Sequence, residues 1–136
     1  MNMKLLQARG AQRVAGCLVL GLSFTLLGCA PLRVERTAMA PVTAPASAIT
    51  LKEPLSGMLS NQDGFSLPAG SRWLQVGTVP QGDTYRRDGA LFIVNGRRQR
   101  EAYLVVNGGD LKGLYFPGES LYTAVPNSTR LVLEPK

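Results

Sequence analysis

The chain has 136 residues, of which 45% are hydrophobic and 18% charged, a balance typical of one globular domain rather than a disordered chain. It contains no histidine, so the usual general base at neutral pH and the commonest zinc ligand are missing. The formal charge is +6, but without the three basic residues of the first 13 positions, 12 basic residues face 9 acidic ones and the charge is +3. So small an excess argues against nucleic acid as a partner.

The first 28 residues have the pattern of a signal peptide. Lys4, Arg9 and Arg13 precede an apolar run over residues 14–27 that carries no charge. As a helix this run would be roughly 21 Å long, shorter than a hydrocarbon core of about 30 Å. We therefore expect cleavage. An uncleaved amino-terminal anchor is the alternative.

The end of the apolar run, Leu26-Leu27-Gly28-Cys29, resembles the lipobox of bacterial lipoproteins. In that family a branched apolar residue lies three positions before the cysteine and a small residue directly before it. The resemblance implies cleavage after Gly28, transfer of diacylglycerol to the Cys29 thiol, and acylation of the new amino terminus. Cys17 ends a similar tetrapeptide but has no apolar run before it, so we do not expect it to be used.

The residues after Cys29 bear on the location of the protein. They are Ala30 and Pro31, not the aspartate that resembles an inner-membrane retention signal in enterobacteria. Two or more acyl chains hold a protein stably in a bilayer. We therefore expect a lipid-anchored protein, in the outer membrane facing the periplasm where the host has two membranes.

Residues 29–50 are rich in proline and small residues, with prolines at positions 31, 41 and 45. Proline removes backbone donors, and small side chains offer little surface to bury. This composition predicts a flexible linker. The chain thus divides into a signal peptide over 1–28, a lipidated linker over 29–50 and a small domain over 51–136.

The domain has the pattern of short strands joined by tight turns. Asn95-Gly96 is a strong hairpin signal, and 107–110 reads Asn-Gly-Gly-Asp. The pattern predicts an all-β antiparallel meander of five to seven strands, rolled into a barrel or sandwich. A single helical turn is also predicted over 55–60. The predicted strands cover residues 73–79, 90–94, 98–106, 111–116, 121–125 and 130–133.

Apolar positions in these strands predict the core. On the strand from Arg98, alternation places Ala102, Leu104 and Val106 on one face and Glu101, Tyr103 and Val105 on the other. The predicted core residues are Trp73, Phe92, Ile93, Leu104, Val106, Leu114 and Phe116.

The residues that could carry catalysis are few. Without histidine there is no conventional triad; no serine lies in a Gly-x-Ser-x-Gly elbow, and no calcium or phosphate loop is present. Four carboxylates lie beside glycines, where turn chemistry explains them better than acid–base work on a glycosidic bond: Asp83, Asp88, Asp110 and Glu119. We therefore expect no enzyme, no cofactor and no metal, although an envelope hydrolase is a third hypothesis.

Two groups of side chains are candidates for binding. Five arginines could converge into a site for phosphate, a lipid headgroup or an acidic surface; arginines beside a hairpin tip also keep the tip soluble. They are Arg86, Arg87, Arg97, Arg98 and Arg100. Tyr103 and Tyr115 could face each other across the 107–110 turn, as a binding platform or as packing.

The segment 73–119 contains Pro-Gln-Gly-Asp at 80–83 and Leu-Tyr-Phe-Pro-Gly-Glu at 114–119, and it resembles that of small bacterial lipoproteins. The resemblance does not imply a particular activity. The first hypothesis is accordingly a non-enzymatic interaction or structural module of the cell envelope, with an envelope protein as partner. The alternative is a binding module for an anionic glycolipid or a cell-wall fragment.

Overall fold

The computed structural model describes residues 34–43 and 47–136. The predicted signal peptide, the lipobox with Cys29 and the first residues of the predicted linker lie outside this part. Within it the backbone forms twelve strands and no helix, which confirms the all-β prediction. The strands are β1 Val34–Arg36, β2 Ala40–Pro41, β3 Ala48–Thr50, β4 Leu55–Met58, β5 Gly64–Leu67, β6 Arg72–Val79, β7 Gly82–Arg87, β8 Ile93–Asn95, β9 Gln99–Glu101, β10 Tyr103–Asn107, β11 Asp110–Phe116 and β12 Leu121–Arg130.

Eight strands form one antiparallel sheet that curls into a half-barrel. Its order is β1-β12-β11-β10-β7-β6-β2, and β3 also pairs with β6. The pairs β6–β7, β10–β11 and β11–β12 each join two strands that are consecutive in the sequence. This arrangement confirms the antiparallel prediction, and its curl is closer to a barrel than to a sandwich.

Residues 34–41 run from one edge of the sheet to the other, and we call this segment the strap. Val34 pairs with Thr123 of β12, Ala40 pairs with Thr78 of β6, and three residues separate β1 from β2. In a flat sheet β1 and β2 would lie six strand spacings apart, roughly 29 Å. Four Cα steps reach at most about 14 Å. The short connection therefore requires the sheet to curl.

A flexible linker was predicted over residues 29–50, but within 34–43 and 47–50 the structure forms strands β1, β2 and β3; residues 29–33 and 44–46 of the predicted linker lie outside the described part. Pro41 lies in β2, a two-residue strand at the sheet edge, which is where sheets tolerate proline. Further on, Ile49 pairs with Trp73, and Leu51 is buried. Small residues and Pro41 thus form edge strands here, because the neighbouring strands supply the partners that such a segment lacks by itself.

Two consecutive glycines build the turn between β10 and β11. Gly108 has φ of +62° and Gly109 of +84°, in the left-handed region that glycine adopts without steric cost. Two such residues in a row are typical of the tight turns that join hairpins. Asn107 pairs directly with Asp110, which confirms the predicted turn.

One face of the sheet packs with the hairpins β4–β5 and β8–β9 around the larger core. Trp73 is fully buried at its centre, with its ring edge-on to Phe92 at 5.4 Å between centroids. Six of the seven predicted core residues are buried. The prediction is wrong for Ile93, which is 37% exposed because its neighbours Phe92 and Val94 take the inward positions.

The opposite face carries a smaller core. It consists of Val79, Val105, Tyr115, Tyr122 and Ala124, with Met39 of the strap and Tyr103 packed against it. Because Leu104 belongs to the larger core and Val105 to this one, the predicted alternation on the strand is confirmed. The strap therefore covers the face of the sheet that the small hairpins leave open.

Three local predictions are wrong. Instead of the strand predicted over 130–133, β12 continues to Arg130 and Leu133 makes an isolated bridge to Leu51. The predicted helical turn over 55–60 is strand β4, which pairs with β5 in a hairpin. The predicted strand over 98–106 is interrupted at Ala102, so that β9 pairs with β8 while β10 pairs with β7 and β11. The interruption lets the β8–β9 hairpin leave the main sheet and pack over it.

Candidate functional site

The five arginines of the predicted anion site are divided between two shallow depressions. Arg97, Arg98 and Arg100 line one of them together with Asn61 and Asp63. The second depression is lined by a different set, which includes Arg86, Arg87, Asp88, Glu101 and Tyr103. Both depressions mix cations with carboxylates, so neither presents an uninterrupted basic surface.

Arg100 lies at the centre of an ion-pair cluster. Its Nη1 donates to Glu119 Oε1 at 2.9 Å, and its Nη2 lies 3.3 Å from Asp63 Oδ2. Arg98 Nη2 donates to the second oxygen of Glu119 at 3.0 Å. The guanidinium carbon of Arg100 also lies 3.9 Å from the centre of the Phe116 ring, and its side chain is only 17% exposed. The donors of Arg100 are therefore directed at protein carboxylates.

The electrostatics of the cluster agree with a role in the fold. The hydrogen bond from Arg100, together with the charges of Arg100 and Arg98, lowers the pKa of Glu119 below its ordinary value, against a smaller effect of burial. Asp63 comes from the turn of the β4–β5 hairpin and Glu119 from the turn before β12. The cluster thus joins three turns and gives Arg98 and Arg100 carboxylate partners within the protein, while their role in anion binding stays a prediction.

The turn carboxylates are similarly engaged. Asp88 accepts from Arg72 at 2.9 Å, and Asp110 pairs with Arg130 at 3.1 Å. Together with Glu119, three of the four carboxylates singled out in the sequence are ion-paired, each at a different turn. Their positions fit turn chemistry, the first of the two interpretations.

The tyrosines pack rather than form an open platform. The rings of Tyr103 and Tyr115 lie 6.5 Å apart across the β10–β11 hairpin, as the sequence predicted. Tyr85, Tyr115 and Tyr122 are buried. Burial raises the pKa of Tyr103, with the nearby Glu101 adding to the effect. Of the two interpretations, packing is the one that these positions favour.

A different feature, which the sequence did not suggest, is a depression beside the outer edge of β4. Its volume is about 240 Å³, and we call it the β4 groove. It is lined by Leu55–Met58, Phe65, Leu111, Val125–Asn127 and Thr129. Six of these ten residues are apolar and none is charged, so the groove offers no charged side chain to an anion. Met58, on its rim, is 55% exposed.

A wide bulge in β12 forms one side of the β4 groove. Leu111 pairs with Thr129 and Gly113 with Ala124, so four residues of β12 lie opposite Lys112 alone. Lys112 Nζ donates to Ser128 Oγ at 3.1 Å at the end of this bulge. Pro126, inside an otherwise strand-like stretch, is the signal that could have indicated the bulge.

Two further observations concern the described residues only. In 34–43 and 47–136, no helix is long and apolar enough to cross a membrane. Within the same ranges, no three side chains of the types Cys, Asp and Glu are grouped as metal ligands would be.

Comparison of the chain with protein-family models, with curated proteins and with solved structures finds no match. No family is assigned, and the function is inferred from the residues and geometry of the chain itself.

Proposed function

We propose that this chain is an exported lipoprotein of the bacterial cell envelope, whose β domain is a non-enzymatic interaction or structural module. The observation that carries the proposal is the sequence Leu26-Leu27-Gly28-Cys29 at the end of an uncharged apolar run. Acyl chains on Cys29 anchor the domain in a membrane. Ala30 and Pro31 favour the outer membrane, with the domain in the periplasm.

The side chains that were candidates for chemistry have structural roles in the domain, which supports a non-enzymatic module. The arginine–carboxylate cluster joins turns, and Tyr103, Tyr115 and Tyr122 pack in the smaller core. An envelope protein is the partner that we expect.

The alternative function, binding of an anionic glycolipid or cell-wall fragment, depends on Arg86, Arg87 and Arg97. Among the ion pairs of the described residues, none involves these three arginines. Their guanidinium groups are therefore the ones that an external phosphate could use. Salt-sensitive binding of the protein to anionic lipid, lost in Arg86→Ser with Arg97→Ser, would favour this alternative over the first.

Metabolic labelling with a fatty-acid analogue tests the anchor. We expect label on the wild-type protein and on Cys17→Ser, which is the matched control, and no label on Cys29→Ser. Mass spectrometry of the mature amino terminus should show a chain that begins at acylated Cys29. Label that persists on Cys29→Ser, or a mature protein that begins at Met1, would overturn the proposal.

A further inference from the structure

We infer that the β4 groove is a membrane-contacting surface, whose apolar rim and Lys112 meet the phospholipid headgroup layer. The inference rests on the proposed lipidation of Cys29. It assigns a partner, a lipid surface, to a feature that none of the sequence patterns indicated.

Only a short stretch of chain connects the anchor at Cys29 to the first strand. Since β1 begins at Val34, only residues 30–33 separate it from Cys29. Five Cα steps span at most about 18 Å, whereas a free linker to residue 50 would span up to about 75 Å. Strand pairing of the strap thus brings the anchored domain close to the bilayer and limits how it can turn.

The second step is the place where the anchor joins the domain. β1 runs antiparallel to β12 with Val34 opposite Thr123, so the amino-terminal end of β1 points toward Ala124 and Val125. Ser60, which follows β4, donates its backbone N–H to the carbonyl of Ala124 at 2.9 Å. The β4 groove, which Val125 lines, therefore lies beside the point of attachment.

The third step is the chemistry of the groove. Its lining carries no charge and includes six apolar residues among ten, and Met58, one of them, exposes more than half of its surface. Lys112 borders the bulge and bonds to the Ser128 hydroxyl; the described residues give it no carboxylate partner. An uncharged surface of mixed polar and apolar groups, with an ammonium group at the adjoining bulge, matches the acyl-headgroup boundary of a bilayer, where apolar groups are buried and cations meet phosphates.

Leu91 supplies a matched comparison. It is 65% exposed, similar to Met58, but it lies in the depression lined by Arg86, Asp88 and Glu101 rather than in the groove. An effect of exposed apolar surface in general would appear at both positions. An effect of the groove would appear at Met58 alone.

The test uses the full-length lipidated protein in vesicles of phosphatidylethanolamine and phosphatidylglycerol that contain a lipid with a nitroxide headgroup. A fluorophore is attached to Met58→Cys, Asn127→Cys or Leu91→Cys. In the mature protein the introduced cysteine is the only free thiol, because Cys29 is a thioether and Cys17 has been removed. We expect the nitroxide to quench the fluorophore at positions 58 and 127 several-fold more than at position 91.

The outcomes separate this inference from the proposed function. Equal quenching at all three positions, in protein that floats with the vesicles, overturns the membrane-contacting groove and leaves the lipoprotein intact. Protein that fails to float and carries a free thiol at position 29 overturns both. Asn127→Cys serves as a second groove position, so that a local disturbance at Met58 cannot by itself decide the result. Charge reversal in Lys112→Glu should weaken quenching at position 58 when the vesicles contain phosphatidylglycerol.

Discussion

The hydroxyl of Tyr115 donates a hydrogen bond to the backbone carbonyl of Thr37 at 3.0 Å, joining the smaller core to the strap across 78 positions of the sequence. The same tyrosine lies between Tyr103 and Tyr122 in the sheet register. One phenol therefore fixes the middle of the segment that connects both edges of the half-barrel.

Replacing Tyr115 by Phe should loosen the strap. A hydrogen bond of this kind contributes about 1 kcal/mol to the free energy of unfolding. We expect a loss of that size in urea unfolding, together with faster amide hydrogen exchange at 37–40. Tyr122→Phe is the control, since its hydroxyl bonds within the sheet to the Lys112 carbonyl; it should leave exchange in the strap unchanged. Unchanged exchange in Tyr115→Phe as well would contradict the assigned role.

Gly77 allows the strap to approach the sheet. A Cβ at this position would lie 2.6 Å from the carbonyl oxygen of Ala40 and 2.6 Å from the side chain of Met39. Gly77→Ala should therefore displace the strap and destabilise the protein by about 1–3 kcal/mol. In Gly118→Ala, the control, the new methyl meets nothing within 4 Å. Equal thermal midpoints for the two variants would show that the close approach does not matter.

The stability of the protein should depend on pH through Glu119. Because its folded-state pKa lies below the ordinary value, the carboxylate stabilises the fold above that value, and the contribution disappears as pH falls through the folded pKa. With the Glu119 side chain 31% exposed, Glu119→Gln should cost roughly 1 kcal/mol or less at pH 7. The difference from wild type should shrink as pH falls through the folded-state pKa of Glu119 and vanish below it.

Glu53→Gln is the control for this pH dependence. Glu53 is exposed, and no ion pair among the described residues includes it. The midpoints of denaturant unfolding should be measured from pH 7 into acid. The difference from wild type should depend on pH for Glu119→Gln and not for Glu53→Gln. A difference in stability between Glu119→Gln and wild type that stays constant with pH would contradict the assigned role of the Glu119 carboxylate.

Trp73 should be the most sensitive position of the larger core. It is fully buried, contacts Phe92 edge-on, and donates from Nε1 to Ser71 Oγ at 2.9 Å. Trp73→Ala should cost about 3–5 kcal/mol, a large part of the stability of a small domain. Trp73→Phe keeps most of the apolar volume and should cost less. Equal midpoints for these two variants would place the main contribution in the hydrogen bond instead.

The strands that the sequence predicted are those whose signals are local. Alternating apolar residues around Leu104 and the glycines at 108 and 109 determine a hairpin without help from distant parts of the chain. The strap was missed because its residues have little intrinsic preference for strands. Their partners, Thr78 and Thr123, lie far along the sequence.

The candidate sites could be predicted only in part, for a related reason. A run of arginines indicates a cluster of charge, but only the fold shows that Asp63 and Glu119, from two other turns, neutralise Arg100. The β4 groove arises from packing between β4 and a bulge in β12, elements that are more than sixty positions apart. No local pattern at either element contains this information.

The pairing of β1 with β12 has a consequence for the order of events in the cell. The first described strand finds its neighbour only near the carboxyl end of the chain, so loop closure over most of the domain must precede completion of the half-barrel. Such long-range contacts form slowly, and a chain that emerges residue by residue cannot make them until Thr123 has appeared. Under the export that we propose, this delay would keep the precursor open for passage across a membrane until the last strand is available.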